Sequence, residues 1–239
     1  VEAADLRLTG PAVRRRGLRA AGTILGVAVL VLIASYAVFV PMLAGTDEKL
    51  TDFSSARLPP SAAHPFGTDH AGRDLFIRLA SGLRVSLLIA VLCALASMGL
   101  GMLIGAVSAA LGGRTDRIVM RVVDGINAVP HLLLGVVIVA MFRGSVTAII
   151  ASIALTHWTQ VARIVRAEVL SLRSREYVEA AYLLGSTRRE VLRRHFLPGT
   201  LAEGVVATVM LLPHAIRHES TLSFLGLGLS PDQASLGTR

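Results

Sequence analysis

The chain has 239 residues, of which 53% are hydrophobic and 17% are charged, against roughly a quarter charged in soluble domains. Its mean hydropathy of +0.64 means more apolar mass than one soluble core of this length can bury, so the composition excludes an ordinary soluble domain and indicates a multi-pass membrane protein. The net charge of +8 comes from arginines that flank hydrophobic segments, a pattern typical of membrane topology and not of nucleic-acid binding.

Five segments are apolar enough to cross a bilayer, which takes about 20 residues as a helix. In chain order they are residues 20–46, 85–113, 125–142, 144–162 and 197–216. Aromatic residues make up only 5% of the chain, and small or aliphatic residues supply the bulk, which favours packed helices over a barrel. The sequence therefore predicts an all-α integral membrane protein with five spans.

The basic residues between the spans predict the orientation of the chain. With the N-terminus in the cytoplasm, the cytoplasmic segments hold 16 lysines and arginines and the external segments hold 8. This orientation divides the chain into a cytoplasmic tail (1–19), a first transmembrane helix (20–46), an extracytoplasmic loop (47–84) and a membrane core (85–239). Within the core, residues 163–196 form an arginine-rich cytoplasmic loop.

Small residues and prolines predict how the helices pack and bend. Small side chains recur every four residues at Ser97, Gly101, Gly105 and Ala109. Unless this spacing is coincidental in a span rich in glycine and alanine, it allows another helix to approach closely. Pro130 and Pro213 lie inside predicted spans, where each is expected to kink or break its helix.

The cytoplasmic loop has the pattern of two short helices joined at a glycine. One face of the first helix is predicted to carry Tyr177, Ala180, Ala181 and Leu184. Gly185 then suits the left-handed conformation that ends a helix, and residues 187–190 read as a capping box for a second helix. The two alanines leave a flat surface that fits a groove on a partner. From the residues alone, an ordinary amphipathic loop remains the alternative.

The same loop resembles the EAA loop of ABC-importer permeases. Glu179, Ala180, Ala181, Gly185, Leu197 and Pro198 match that pattern, although His195 replaces an aliphatic residue. Further segments resemble the dipeptide, oligopeptide and nickel branch of the family, namely residues 64–74 (HPFGTDHAGRD), 113–116, 121–124 and 219–229 (ESTLSFLGLGL). The resemblance implies a type I ABC-importer transmembrane bundle in which the usual sixth span, after the FLGLG segment, is missing from these 239 residues.

The resemblance implies a transport subunit in the bacterial plasma (inner) membrane, and not an enzyme. It implies import of dipeptides or oligopeptides, or of nickel or a nickel chelate. The expected partners are membrane lipid, a homologous second permease subunit, two ABC ATPase subunits and an extracytoplasmic solute-binding protein near the GTD/GRD segment. ATP and Mg²⁺ are expected on the ATPases, with no cofactor on this chain. The expected ATPase-docking residues are Tyr177, Glu179, Ala180, Ala181, Leu184, Gly185, Leu197 and Pro198.

Ionisable residues inside a membrane are costly and point to function. Glu203 either lines the translocation pathway or pairs with an arginine of another helix. His214 and His218 are one helical turn apart, which allows metal binding, but they are also consistent with histidines at the membrane interface. All three are candidate pathway residues, and His131 and His157 would extend a metal path. No metal site and no catalytic residue is assigned.

Two other classes of membrane protein fit the sequence less well. A secondary transporter built from inverted repeats leaves the EAA-like loop unexplained, and the five spans show no obvious internal repeat. An intramembrane protease or related enzyme would need a motif such as HExxH or Gly-x-Ser-Gly, and neither occurs in the sequence.

Overall fold

The computed structural model describes residues 11–44, 51–142, 145–228 and 237, with side chains from residue 22 onward. The first ten residues of the predicted cytoplasmic tail therefore lie outside the described residues. The described chain contains helices, one isolated β-bridge between Thr68 and Asp74, and no β-strand. This confirms the all-α fold.

The helices follow one another in this order. They are α1 (Pro11–Ala44), a 3₁₀ turn (Phe53–Ser55), α2 (Leu75–Leu111), α3 (Gly113–Ala128), α4 (His131–Met141), α5 (Val146–Arg173), α6 (Glu176–Leu183), α7 (Arg188–Val191), a π-helical turn (Leu192–Phe196), α8 (Leu197–Gly199) and α9 (Leu201–Phe224). Within the described residues, three helices are long and apolar enough to span a membrane, at residues 22–44, 75–111 and 146–173. Two bent helix pairs raise the number to as many as five spans.

The two bends confirm the prediction for Pro130, whereas the helix is not broken at Pro213. The third predicted span breaks between α3 and α4 with a bend of 80°, where Pro130 precedes α4. In the last span, α9 continues through Pro213, so this proline does not break the helix. The bend of 50° lies instead at Gly199 and Thr200. A helix in a bundle tolerates proline when neighbouring groups satisfy the carbonyl that it frees.

The chain divides into two compact units at residues 84 and 85. In the first unit, the GTD/GRD segment forms a hydrogen-bonded turn. Gly67 and Gly72 have φ angles of +74° and +76°, and the Asp69 carboxylate accepts hydrogen bonds from the backbone N–H groups of Ala71 and Arg73. Burial alone would raise the pKa of Asp69, but these backbone donors and the positive charge of Arg78 hold it below its ordinary value. The aspartates and glycines therefore stabilise the loop itself.

In the second unit, two clusters of buried side chains hold the helices together. One cluster joins the C-terminal half of α2, α5, α6 and α7, including Ala106, Val165, Val178 and Val191. The other joins an earlier part of α2 to α4, α5 and α9. The stripe of small residues on α2 lies against α5: a Cβ atom on Gly101 would lie 2.8 Å from the Trp158 carbonyl oxygen.

We expect Gly105→Ala to destabilise the bundle, because its new Cβ would collide with the Ala162 carbonyl oxygen, a backbone atom that cannot rotate away. Overpacking of this kind costs about 1 to 3 kcal/mol. Gly99→Ala on the same helix is the matched control, since no atom lies within 4 Å of its Cβ position. Thermal unfolding of the two purified variants measures the difference. Equal melting temperatures would show that α2 and α5 do not pack through Gly105.

Candidate functional site

The segment from residue 174 to 198, which we call the α6–α7 segment, is anchored to the helix bundle at three points. Val178 of α6, Val191 of α7 and Phe196 of the π-helical turn are fully buried. All three belong to the cluster that also contains Val165 and Val169 of α5. These apolar anchors fix the segment to the end of the bundle that contains the C-terminal half of α5, so it is not an isolated loop.

The joint between α6 and α7 is a Schellman motif followed by a capping box. The backbone N–H of Ser186 donates to the Ala181 carbonyl and that of Gly185 to the Tyr182 carbonyl, both at 3.0 Å. Gly185 has a φ angle of +91°, as its predicted position at the end of a helix requires. The Thr187 hydroxyl accepts from the Glu190 N–H, and the Glu190 carboxylate accepts from the Thr187 N–H. Both predicted turn elements are therefore present.

The α6–α7 segment presents apolar side chains to its surroundings. Leu183 and Leu184 are 89% and 88% exposed, and Tyr177 and Ala180 are also exposed, whereas Ala181 is half-buried. Sequence reasoning included Leu184 but missed Leu183 and the buried anchor Val178. A leucine pair directly before a helix-ending glycine was the available signal for Leu183. No sequence signal identifies Val178, because only the packing of α6 on α5 distinguishes this buried residue from its exposed neighbours.

Arginines that were interpreted only as topology determinants also connect the helices. The Arg166 guanidinium donates two hydrogen bonds to the Asp116 carboxylate, each at 2.6 Å, and Ser108 donates a third at 2.7 Å. Arg173 donates to the Ala109 carbonyl at 3.1 Å. These bonds tie the end of α2 and the start of α3 to α5, the helix that leads directly into the α6–α7 segment.

The three predicted pathway residues do not share one site. Glu203 and His214 both line a cleft of about 480 Å³ between α5 and α9. His218 does not line this cleft. Its ring contacts that of His157, with centroids 5.0 Å apart, and His157 in turn contacts His131 at 5.4 Å.

The predicted ligand types do not form a metal cluster in the described residues. No group of three or more histidine, cysteine, aspartate or glutamate side chains is placed there to hold an ion. The Nδ1 atom of His157 lies 2.9 Å from the Ile153 carbonyl oxygen and 2.8 Å from the Thr156 hydroxyl. These contacts provide hydrogen-bond partners for the Nδ1 atom of a histidine buried inside α5.

Sequence reasoning also missed a buried carboxyl group. Glu219 of α9 is fully buried, and its two oxygens accept hydrogen bonds from Ser86 of α2 at 2.7 Å and from Ser223 at 2.8 Å. It connects helices through residues that are 133 positions apart in the sequence. In the sequence, Glu219 stood out only as the first residue of the segment 219–229 that resembles the permease family. That resemblance does not predict whether its side chain is buried.

Comparison with known proteins agrees with this architecture. A family model described as "Binding-protein-dependent transport system inner membrane component" matches residues 97–239. The chain is 39% identical over 213 residues to the oligopeptide transport system permease protein OppC of Bacillus subtilis (strain 168), covering 89% of this chain and 70% of that relative. It is 36% identical to the dipeptide transport system permease protein DppC of the same organism, covering 89% of this chain and 66% of that relative. It is 37% identical to OppC of Escherichia coli (strain K12), covering 94% and 75%.

Proposed function

The chain belongs to the family of binding-protein-dependent inner membrane transport components, and from that premise we propose that it carries peptides across the bacterial inner membrane. As a member of this family, it is a multi-pass membrane protein and a permease subunit of an ABC importer. It is not itself an enzyme, because ATP hydrolysis belongs to a separate subunit. Family membership does not favour the secondary-transporter and enzyme alternatives.

The observation that carries the proposed mechanism is the exposed leucine pair on an anchored segment. Leu183 and Leu184 project from the end of α6, while Val178 on the same helix is buried in the bundle. An exposed apolar pair on a short helix whose C-terminal end is fixed by a Schellman motif is typical of a protein docking surface. The proposed ATPase-docking residues are Leu183 and the predicted set Tyr177, Glu179, Ala180, Ala181, Leu184, Gly185, Leu197 and Pro198.

The proposed coupling works through the buried anchors. Movement of an ATPase subunit shifts α6 and α7, and Val178, Val191 and Phe196 pass that shift to α2 and α5 because their side chains are packed among those helices. Packed cores rearrange between discrete states and do not deform continuously. ATP-driven closure then biases the bundle between outward and inward access.

The composition of the complex is part of the proposal. It comprises this chain, a homologous second permease subunit, two ABC ATPase subunits that bind ATP and Mg²⁺, and an extracytoplasmic solute-binding protein. The excess of arginine and lysine in segments 1–19, 114–124 and 163–196 supports a cytoplasmic N-terminus and a cytoplasmic α6–α7 segment. The GTD/GRD segment is then external, where the solute-binding protein docks.

Peptide is favoured over nickel as the substrate. The relatives described above are named for oligopeptide and dipeptide transport. His214 and His218, the pair considered for nickel, lie in different surroundings, one beside the cleft and the other against His157.

We expect the complex reconstituted in liposomes with its binding protein to accumulate radiolabelled peptide when ATP is supplied, and not to accumulate radiolabelled Ni²⁺. The control is the same complex with an ATPase subunit that cannot hydrolyse ATP, which should show no accumulation. ATP-dependent Ni²⁺ uptake without peptide uptake would contradict the substrate proposal. Peptide uptake that persists with the inactive ATPase would contradict primary transport.

A further inference from the structure

The cleft between α5 and α9 combines apolar walls with a few polar groups. Its lining includes the aliphatic side chains of Val161, Ile164 and Val206, and the polar residues Gln160, Glu203 and His214. A volume of about 480 Å³ lies within the range of about 300 to 1,000 Å³ that small-molecule sites have. Glu203 and His214 lie eleven residues apart on α9, which separates them by about 16 Å along the helix axis.

The position of Glu203 is not explained by helix capping. The chain has the Thr-x-x-Glu pattern at Thr187–Glu190 and again at Thr200–Glu203. The first forms a complete capping box. In the second, the Thr200 hydroxyl donates to the Phe196 carbonyl at 2.9 Å and makes no capping hydrogen bond. The Glu203 side chain is thus left to line the cleft.

Glu203 also lacks a partner among the described residues. Its Oε2 atom is buried and accepts no hydrogen bond from any described group. The predicted pairing with an arginine does not occur with any arginine in the described part of this chain, where the four ion pairs involve other acids. A buried carboxylate oxygen without a donor is costly, so a ligand that supplies a donor and a positive charge would bind favourably there.

The other polar residues of the cleft, His214 and Gln160, also offer hydrogen-bond acceptors, so they favour a ligand that carries donors. The Nδ1 atom of His214 lies 3.2 Å from the Met210 carbonyl oxygen, which can only accept, so Nδ1 carries the proton. In a neutral ring with that tautomer, the Nε2 atom can accept a hydrogen bond. Gln160 adds an amide oxygen. Among the described residues, no lysine or arginine lines the cleft, so its chemistry suits a primary ammonium group and does not suit a carboxylate or phosphate.

We propose that the α5–α9 cleft binds a peptide in transit, with Glu203 as the counter-charge for its ammonium group. His214, about 16 Å away along α9, and Gln160 are acceptors for other N–H groups of the same peptide. This inference rests on the proposed peptide transport. The aliphatic walls contact the peptide's apolar side chains while the ammonium group neutralises Glu203. The site releases its ligand readily, because transport requires binding weak enough for exit.

The test is protection of a cysteine in the cleft wall from a thiol reagent. Val206→Cys is made in a Cys93→Ser background, since Cys93 is the chain's one cysteine, and is studied in the complete complex without the binding protein. Val205→Cys is the matched control, because Val205 is the preceding residue on α9 and does not line the cleft. The probes are a tripeptide with a free amino terminus and the same tripeptide N-acetylated.

We expect the free-amine tripeptide to protect the thiol of the Val206→Cys variant but not that of Val205→Cys, and the acetylated tripeptide to protect neither. Adding Glu203→Gln should raise the half-protecting concentration about tenfold, as the loss of one charge-assisted hydrogen bond would. Glu168→Gln, which removes the same charge from α5 outside the cleft, should leave it unchanged.

Three results would overturn the proposal: equal protection by both tripeptides, no protection by either, or a Val206→Cys thiol that is unreactive in the complex because a helix of another subunit fills the cleft. Failure of the proposed function gives a different pattern. In that case the complex imports no peptide under ATP, although the amine-dependent protection of the Val206→Cys thiol persists.

Discussion

Replacing Leu183 and Leu184 together with serine is expected to abolish most ATP-driven uptake while leaving the amount of protein in the membrane unchanged. The two side chains are almost fully exposed, so the fold gains little from them. If both are buried on the ATPase, their truncation costs about 2 to 4 kcal/mol of docking free energy, which lowers the affinity by at least about thirtyfold.

The measurement has two parts, which are peptide uptake by proteoliposomes and co-purification of the ATPase with the permease. Val178→Ser is the informative comparison, because it places a hydroxyl in the buried cluster of α5 and α6. It should lower the stability of the subunit itself, whereas the leucine variant should not. Normal uptake and normal co-purification by the leucine variant would show that the ATPase docks elsewhere.

The sequence predicted the parts of the α6–α7 segment that depend on local chemistry. Gly185 and the Thr187–Glu190 capping box are recognisable because a left-handed residue and a reciprocal hydrogen bond each have a residue signature. Val178 and Leu183 were missed because their difference in exposure depends on which side of α6 faces α5. That orientation is a tertiary property, which a helix of eight residues does not encode in its own periodicity.

The difference between local residue chemistry and tertiary packing also explains which features of the long helices were predicted. The five apolar segments were found from composition, but α2 begins at Leu75, ten residues before the predicted span. The Asp74 carboxylate accepts hydrogen bonds from the N–H groups of Phe76 and Ile77, so α2 begins at this cap and not at the edge of the apolar run. Likewise, hydropathy could not distinguish Glu203 from Glu219. One lines a cleft and the other is enclosed by two serines, and only the packing separates them.

The contacts of Asp116 and Asp124 with arginines of α5 were not predicted, although both aspartates lie in segments that resemble the permease family. These contacts lead to the second large prediction. Asp116→Asn is expected to destabilise the subunit by about 2 to 4 kcal/mol. The Asp116 side chain is 12% exposed and accepts both hydrogen bonds of the Arg166 fork, so its loss leaves a half-enclosed guanidinium without its counter-charge. Breaking a buried pair costs about 3 to 5 kcal/mol, and the expected loss is somewhat smaller because 31% of the Arg166 side chain remains exposed.

Asp124→Asn provides the matched control for this prediction. It removes the same charge from the same helix and breaks the pair with Arg163, but the Asp124 and Arg163 side chains are 63% and 51% exposed. Exposed pairs contribute about 0 to 1 kcal/mol, so this variant should unfold close to the wild type. Thermal unfolding of both variants, at matched detergent and salt, measures the contrast.

Because α3 and α5 meet through Asp116 just before the chain enters α6, a destabilised Asp116→Asn subunit should also lose ATP-coupled uptake. If the two variants unfold alike, the Asp116–Arg166 pair does not fix α3 to α5, and the arginines of this region serve topology alone.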